Sequence, residues 1–139
     1  MRSTYTELFV HLIWGTWDRL PLITADVEAK VYVAMKVKTQ ELKCELVAIG
    51  GTDQHVHLLI RLHPMIAISD LVKEIKGSSS HFMTHVLAPN GFFKWQGSYS
   101  AFMLRKSDAP QLIAYIDNQK QHHLRDTTIA AWEEADSDD

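Results

Sequence analysis

Gln54-His55-Val56-His57-Leu58-Leu59-Ile60 is the stretch on which the fold turns. It follows Gly50-Gly51 and runs up to Pro64 as an apolar, β-branched segment, which is the pattern of a strand. Residues two apart on a strand share a face. His55 and His57 therefore stand side by side with Leu59 and Arg61 in line behind them, while Val56, Leu58, Ile60 and Leu62 make a continuous apolar face. One face is core. The other carries two imidazoles a single strand repeat apart, close enough to converge on one metal ion. A lone His-x-His is more often a pair of half-exposed strand histidines, so its meaning depends on what the rest of the chain brings to it.

Upstream, Cys44 to Ile49 reads as a short strand, and Gly50-Gly51-Thr52-Asp53 as a tight turn joining it to the histidine strand in a hairpin. Tyr5 to Trp14 alternates between Leu8, Val10, Leu12, Trp14 and Glu7, Phe9, His11, Ile13, which predicts another strand. Between these strands, Val27, Val31, Ala34, Met35 and Leu42 recur at helical spacing, giving a helix over 25–42 with Thr24 as its N-cap and Asp26 and Glu28 in the first turn. Downstream, a second helix begins near Ser69, with an apolar stripe of Ile68, Leu71, Val72, Ile75, Phe82 and Val86. Ala88-Pro89-Asn90-Gly91 breaks it. Residues 92–104 have strand composition, with Gly97 as a bulge or turn. A last helix, capped by Ser107 or Asp108 with Pro110 in its first turn, runs to about Leu124. Strand, helix, strand, strand, helix, strand, helix is the split β-α-β order of α+β, ferredoxin-like folds: an antiparallel sheet with helices on one face. The other face is left for a site.

Composition narrows the function classes. With 139 residues and 46% hydrophobic residues, the chain is long and apolar enough for one domain with a real core. One cysteine, Cys44, excludes an internal disulfide framework and suits a reducing, cytoplasmic setting. Glu7 and His11 interrupt the N-terminal apolar stretch, so no signal peptide is expected. No run approaches the ~18 apolar residues of a membrane span. The net charge of −3 is unevenly spread: residues 133–139 hold five acids and no base, and without them 14 bases face 12 acids. A body of that balance permits a phosphate-backbone partner. The expected division is a folded domain over 1–125 and a solvated, frayed acidic tail over 126–139.

Chemistry enters with the last helix. Tyr115 and Gln119 are four apart and share a helix face. Two imidazoles and one amide oxygen make a three-ligand metal site with open positions. A phosphodiester bound there is polarised by the metal, and a tyrosine one helical turn away is placed to attack it. A phenol with an ordinary pKa near 10 needs a cation or a base to ionise. Tyr5, Tyr32 and Tyr99 lack a Gln four residues on. Arg19, Lys73, Lys76, Arg105 and Lys120 are candidate phosphate contacts, each taken singly more readily read as a solvated surface charge. Trp95 and Phe102 read as base-stacking or packing residues, and either His122 or His123 can approach the site.

His55-Val56-His57, Lys76-Gly77-Ser78-Ser79-Ser80, Trp95-Gln96-Gly97-Ser98-Tyr99-Ser100-Ala101-Phe102 and Tyr115-Ile116-Asp117-Asn118-Gln119 with His122-His123 occur in that order. In this the chain resembles the single-tyrosine HUH transposases, the small insertion-sequence and REP-associated tyrosine transposases, over almost its whole length to about residue 125. The resemblance implies cleavage and rejoining of single-stranded, hairpin-bearing element ends through a 5′-phosphotyrosine. His55, His57 and Gln119 would ligate a divalent metal, Mg²⁺ or Mn²⁺, and Tyr115 would be the nucleophile. It also implies a homodimer in which the tyrosine helix serves the partner's histidines. Asp53-Gln54 precedes the first His, where the family often has Asp directly before it. The alternatives are a catalytically silent nucleic-acid-binding descendant, an HUH replication initiator or relaxase (usually a longer protein), and a metalloprotein with an incidental tyrosine.

Overall fold

The computed structural model describes residues 4–87, 91–125 and 128–133. Four strands, β1 (Phe9–Gly15), β2 (Glu45–Gly51), β3 (His55–Arg61) and β4 (Ser100–Leu104), form one sheet in the order β2-β3-β1-β4, every pair antiparallel. The helices are α1 (Glu28–Glu41), α2 (Ile68–Phe82), α3 (Ala109–Asp117) and α4 (Gln119–Leu124). This is the expected α+β, ferredoxin-like order. The β2–β3 hairpin forms as expected, but its turn is residues 52–54: Gly50 and Gly51 belong to β2, opposite His57 and Val56. Among the described residues no helix is long and apolar enough to cross a membrane.

Period-two patterning splits the two central strands cleanly. Val10, Leu12 and Trp14 of β1 and Val56, Leu58 and Ile60 of β3 face one way and pack with Val31 and Met35 of α1 and Leu71, Val72 and Ile75 of α2. Their alternates face the other way, where Phe9, Leu59 and Ala48 meet Leu112, Tyr115 and Ile116 of α3. The two long helices thus share one face, as expected, but the last helix does not join them: α3 lies on the histidine face, so that face is covered and not left open. Contact there is close: a Cβ on Gly50 would collide with the backbone carbonyl of Ile116.

Several local expectations differ. Thr24 does not cap α1, because its hydroxyl binds the Asp26 carboxylate at 2.5 Å and residues 25–27 form a turn before the helix. α2 starts at Ile68, one residue before the expected Ser69 cap, with Ala67 at its N-cap. The predicted strand over 92–104 is regular only from Ser100. Lys76 is the cause. Its ammonium takes the carbonyls of Gln96 (2.8 Å) and Ser98 (2.7 Å), groups that a strand would spend on its neighbour. Trp95 keeps a single bridge to Thr16 and donates its indole N–H to Ser79 Oγ at 2.9 Å. The Lys76–Ser80 and Trp95–Phe102 motifs therefore hold each other. The last helix reaches Leu124 but is interrupted at Asn118 (φ −108°, ψ 23°), whose side-chain amide donates to the Ala114 carbonyl at 2.8 Å and competes with the helical backbone bond.

Candidate active site

β3 delivers His55 and His57 to the face under α3 and α4, and both rings are buried. Their Nδ1 atoms are engaged from behind: His55 by Thr52 Oγ1 at 2.9 Å, from the turn before β3, and His57 by His11 Nε2 at 2.9 Å, from β1. That leaves both Nε2 atoms pointing inward. Gln119, at the start of α4, brings its Oε1 to 3.1 Å from His55 Nε2. Tyr115 lies over His57, with ring centroids 6.1 Å apart, and is flanked by His122 and Trp132. The four residues expected to carry the chemistry, His55, His57, Tyr115 and Gln119, are thus assembled in one place, even though Asn118 breaks the helix between the last two.

Glu133 completes the cluster and corrects one expectation. An acidic residue in a solvated tail was predicted; its carboxylate is instead folded into the site. Oε1 lies 3.2 Å from His57 Nε2, 3.4 Å from His55 Nε2 and 3.1 Å from His123 Nε2. Oε2 accepts the Tyr115 hydroxyl and, at 3.0 Å, the Gln119 amide N–H. The rest of that acidic run, 134–139, lies outside the described residues. Ligand atoms of His55, His57 and Glu133 all lie within 4.8 Å of one another, the grouping of a metal centre. Two inward imidazole nitrogens, each with its other nitrogen hydrogen-bonded, plus an amide oxygen and a carboxylate, fit a divalent cation. His123, read as a residue able to approach the site, also reaches Gln119 Oε1 at 3.1 Å.

Electrostatics follow from burial. Burial, reinforced by the hydrogen bond to Glu133, pushes the Tyr115 phenol up to about 12. Burial would also raise Glu133, but hydrogen bonds from His55, His57 and Tyr115 outweigh it and hold the carboxyl well below the usual range. His57 is lowered chiefly by burial. His11, buried in the centre of the sheet, is lowered to about 3 for the same reason. In this arrangement the phenol is protonated, and its proton points at a carboxylate.

Of the five candidate cations, only Arg19 lines the histidine cleft, with Ile13, Thr52, Gln54, His55, His123 and Glu133. It follows Asp18, and both residues have left-handed backbones, at φ 53° and 55°. Lys120 is tied to Glu28 (2.5 Å) and the Gly51 carbonyl (3.2 Å). Lys76 is held as described, Lys73 is exposed on α2, and Arg105 is exposed beside Asp108. Sequence reasoning missed Glu133 and the roles of His11 and Thr52. A signal for His11 was present: it is the one imidazole on an otherwise apolar central strand, and the β1–β3 register sets it diagonally across from His57, with Ile13 directly opposite.

A ferredoxin-like sheet presenting paired histidines beside a helix-borne tyrosine and glutamine defines the tyrosine transposases as a class. A model of the family described as "Transposase IS200 like" matches residues 4–119, and the chain belongs to this family. The transposase TnpA of ISDra2 from Deinococcus radiodurans is 28% identical over 124 residues, covering 85% of this chain and 88% of that one. The crystal structure of a putative transposase from the same organism superposes with a TM-score of 0.66 at 30% identity, covering 86% of this chain and 95% of that chain. A REP-associated tyrosine transposase bound to a REP hairpin shares the fold at a TM-score of 0.66 and 18% identity, covering 88% and 72%.

Proposed function

We propose that this transposase cleaves and rejoins single-stranded DNA at hairpin-bearing element ends, with Tyr115 as nucleophile and a divalent cation, Mg²⁺ or Mn²⁺, held by His55, His57 and Gln119. The observation that carries this reading is the meeting of the Tyr115 hydroxyl, two inward imidazoles and the Gln119 amide around one carboxylate. A divalent cation bound there supplies a Lewis acid for the phosphodiester. Tyr115 Oη attacks phosphorus, forming the phosphotyrosine bond on the 5′ side as the bond to the 3′ oxygen breaks. The phenolic proton passes to Glu133 Oε2, its hydrogen-bond acceptor. The released 3′ oxygen takes a proton from solvent and leaves as a hydroxyl. Attack by a 3′-hydroxyl on the phosphotyrosine reverses the step and regenerates the phenol, so rejoining needs no external energy source. Tyr115 carries one restraint that substrate must relieve, the Ile129 N–H donated to its oxygen at 3.0 Å.

Arg19, beside the histidines, is the cation best situated for the scissile phosphate. Lys73, Arg105 and Lys120 serve the flanking backbone. Lys76 acts first as the clamp on Gln96 and Ser98. The proposed assembly is a cytoplasmic homodimer. Within one chain Tyr115 lies against its own His57, the geometry of attack in cis, and exchange of the tyrosine helix between subunits would bring the same side chain to the partner's histidines.

Covalent trapping tests the reading. Labelled single strands from the element's own flanks, incubated with protein and Mn²⁺, should yield a denaturation-resistant adduct. It should vanish with EDTA, with His57→Ala and with Tyr115→Phe. Adduct reappearing when the two variants are mixed would assign the tyrosine to the partner's site. Measurable DNA binding and metal binding without any adduct would leave a silent binding protein and sink the proposal.

A further inference from the structure

We propose that His11 is a positioning residue of the metal site: it fixes the orientation of His57 and, once a cation replaces the Glu133 contact on Nε2, accepts the hydrogen bond of the proton on His57 Nδ1. This rests on the reading that His55 and His57 hold a cation. His57 is fully buried, with a relative exposure of 0%, so neither of its nitrogens can borrow a partner from solvent. Its Nε2 faces the cluster at Glu133, and its Nδ1 faces His11 Nε2 at 2.9 Å. A neutral imidazole that gives Nε2 to a metal must carry its proton on Nδ1, and that proton needs an acceptor. His11 Nε2 is in that position. The two rings are also stacked, 5.2 Å between centroids and 23° apart, so the contact fixes the plane of His57 as well as, with the cation bound, its protonation.

Burial makes His11 hard to explain otherwise. It sits at the centre of β1, 1% exposed, at a position on the sheet where Phe9 and Ile13 are its neighbours on the same face. An apolar residue there avoids the cost of burying a polar ring. The far side of the His11 ring borders a cavity of about 230 Å³ lined by Phe102, Asp108, Gln111 and Trp132 among others. A second ligand is braced in the same way by an unrelated residue: Thr52 Oγ1 stands 2.9 Å from His55 Nδ1. Both proposed metal histidines thus have an outer partner on Nδ1 supplied by a different strand or turn, and His11 is the more buried of the two.

Two measurements on the full chain test this. In wild-type protein labelled with ¹⁵N-histidine and loaded with Mg²⁺, the His57 Nδ1 should carry the proton and show scalar coupling across the hydrogen bond to His11 Nε2. An Nδ1 that is unprotonated, or protonated without coupling to His11, overturns the proposal and requires no variant to fold. Titration calorimetry with Mn²⁺ gives the second readout. His11→Phe keeps the ring but removes the acceptor, and should weaken Mn²⁺ binding about 10–100-fold; His11→Gln, which restores an acceptor, should regain most of it. A purely structural role would lower the melting temperature equally in Mn²⁺ and in EDTA, whereas the positioning role reduces the metal-induced rise itself. If wild type binds Mn²⁺ and His57→Ala does not, yet His11→Phe binds as tightly as wild type, the positioning role fails alone. If wild type does not bind Mn²⁺, or His57→Ala binds as wild type does, the metal-site reading fails with it.

Discussion

The two faces of one sheet are buried by opposite means. Val56, Leu58 and Ile60 lie under α1 and α2, surrounded by aliphatic side chains that ask nothing of one another except fit. Their alternates His55 and His57 are buried just as deeply, under α3, α4 and the turn that carries Trp132 and Glu133. Every polar atom on that side must find a partner. The partners come from separate parts of the chain: His11 from β1, Thr52 from the hairpin turn, Gln119 and His123 from α4, and Glu133 beyond it. Transfer of apolar area stabilises the first face at about 25 cal/mol per Å². The second face gains far less, since its hydrogen bonds replace bonds to water. The first face makes the sheet stable, and the second spends that stability on a site.

The strongest way to break this division is truncation on the apolar face. Leu58→Ala should cost about 2–5 kcal/mol in urea unfolding, while the folded protein keeps wild-type Mn²⁺ affinity and adduct yield. Equal damage to stability and to metal affinity would mean that the faces are not independent. Gly50→Ala attacks the other side. Its new Cβ meets the Ile116 carbonyl, so α3 must lift from the sheet. Overpacking of this kind costs about 1–3 kcal/mol, and because Tyr115 neighbours Ile116 the adduct yield should fall by more than the loss of folded protein explains. An unchanged yield would mean that α3 can slide without disturbing the site.

How much of each face could be read from sequence follows from the same contrast. The apolar face was fully legible, because alternation in β1 and β3 and helical spacing in α1 and α2 are statements about water, and water acts at every residue. Tyr115 and Gln119 were legible because four residues make one helical turn, and the Asn118 break leaves both on the site. Glu133 was not. A run of acids reads as solvated, and nothing local signals that one of them will reach a histidine 76 residues away. The strand over 92–104 was overread for a related reason: Lys76, a charge that looks like a surface residue, claims the carbonyls of Gln96 and Ser98. Polar partnerships between distant segments depend on the finished fold, and periodicity is blind to them.

Acid should also separate the faces. An unfolded imidazole with a pKa near 6.5 takes up a proton that buried His11, lowered to about 3, refuses. His57 is lowered in the same direction. Below pH 6.5 the unfolded chain therefore binds more protons than the folded one, and stability falls as pH falls. From His11 alone, the metal-free protein should lose about 2 kcal/mol between pH 7 and pH 5. Leu58→Ala should show the same slope from a lower starting point, and His11→Phe a flatter one. A slope left intact by His11→Phe would assign the proton uptake to other groups.

The smallest expected effect concerns the cations that belong to neither face. Arg105 has a side chain 83% exposed and, among the described residues, pairs with Asp108 at 3.3 Å, so its removal should change folding stability by no more than about 0.5 kcal/mol. If it meets a phosphate, Arg105→Ala should weaken binding of every single strand alike and lower the slope of log affinity against log salt by about 0.7. Lys76 gives the contrasting case. Its ammonium is committed to two carbonyls and lies 5.6 Å from the Trp14 ring and 5.9 Å from the Tyr99 ring. A cation committed to protein carbonyls makes no phosphate contact and so displaces no counterion from DNA, and Lys76→Met should leave the salt slope unchanged while loosening the segment around Gln96. The reverse result, a slope that responds to Lys76 and ignores Arg105, would mean that DNA displaces those carbonyls and that the clamp is part of the binding surface.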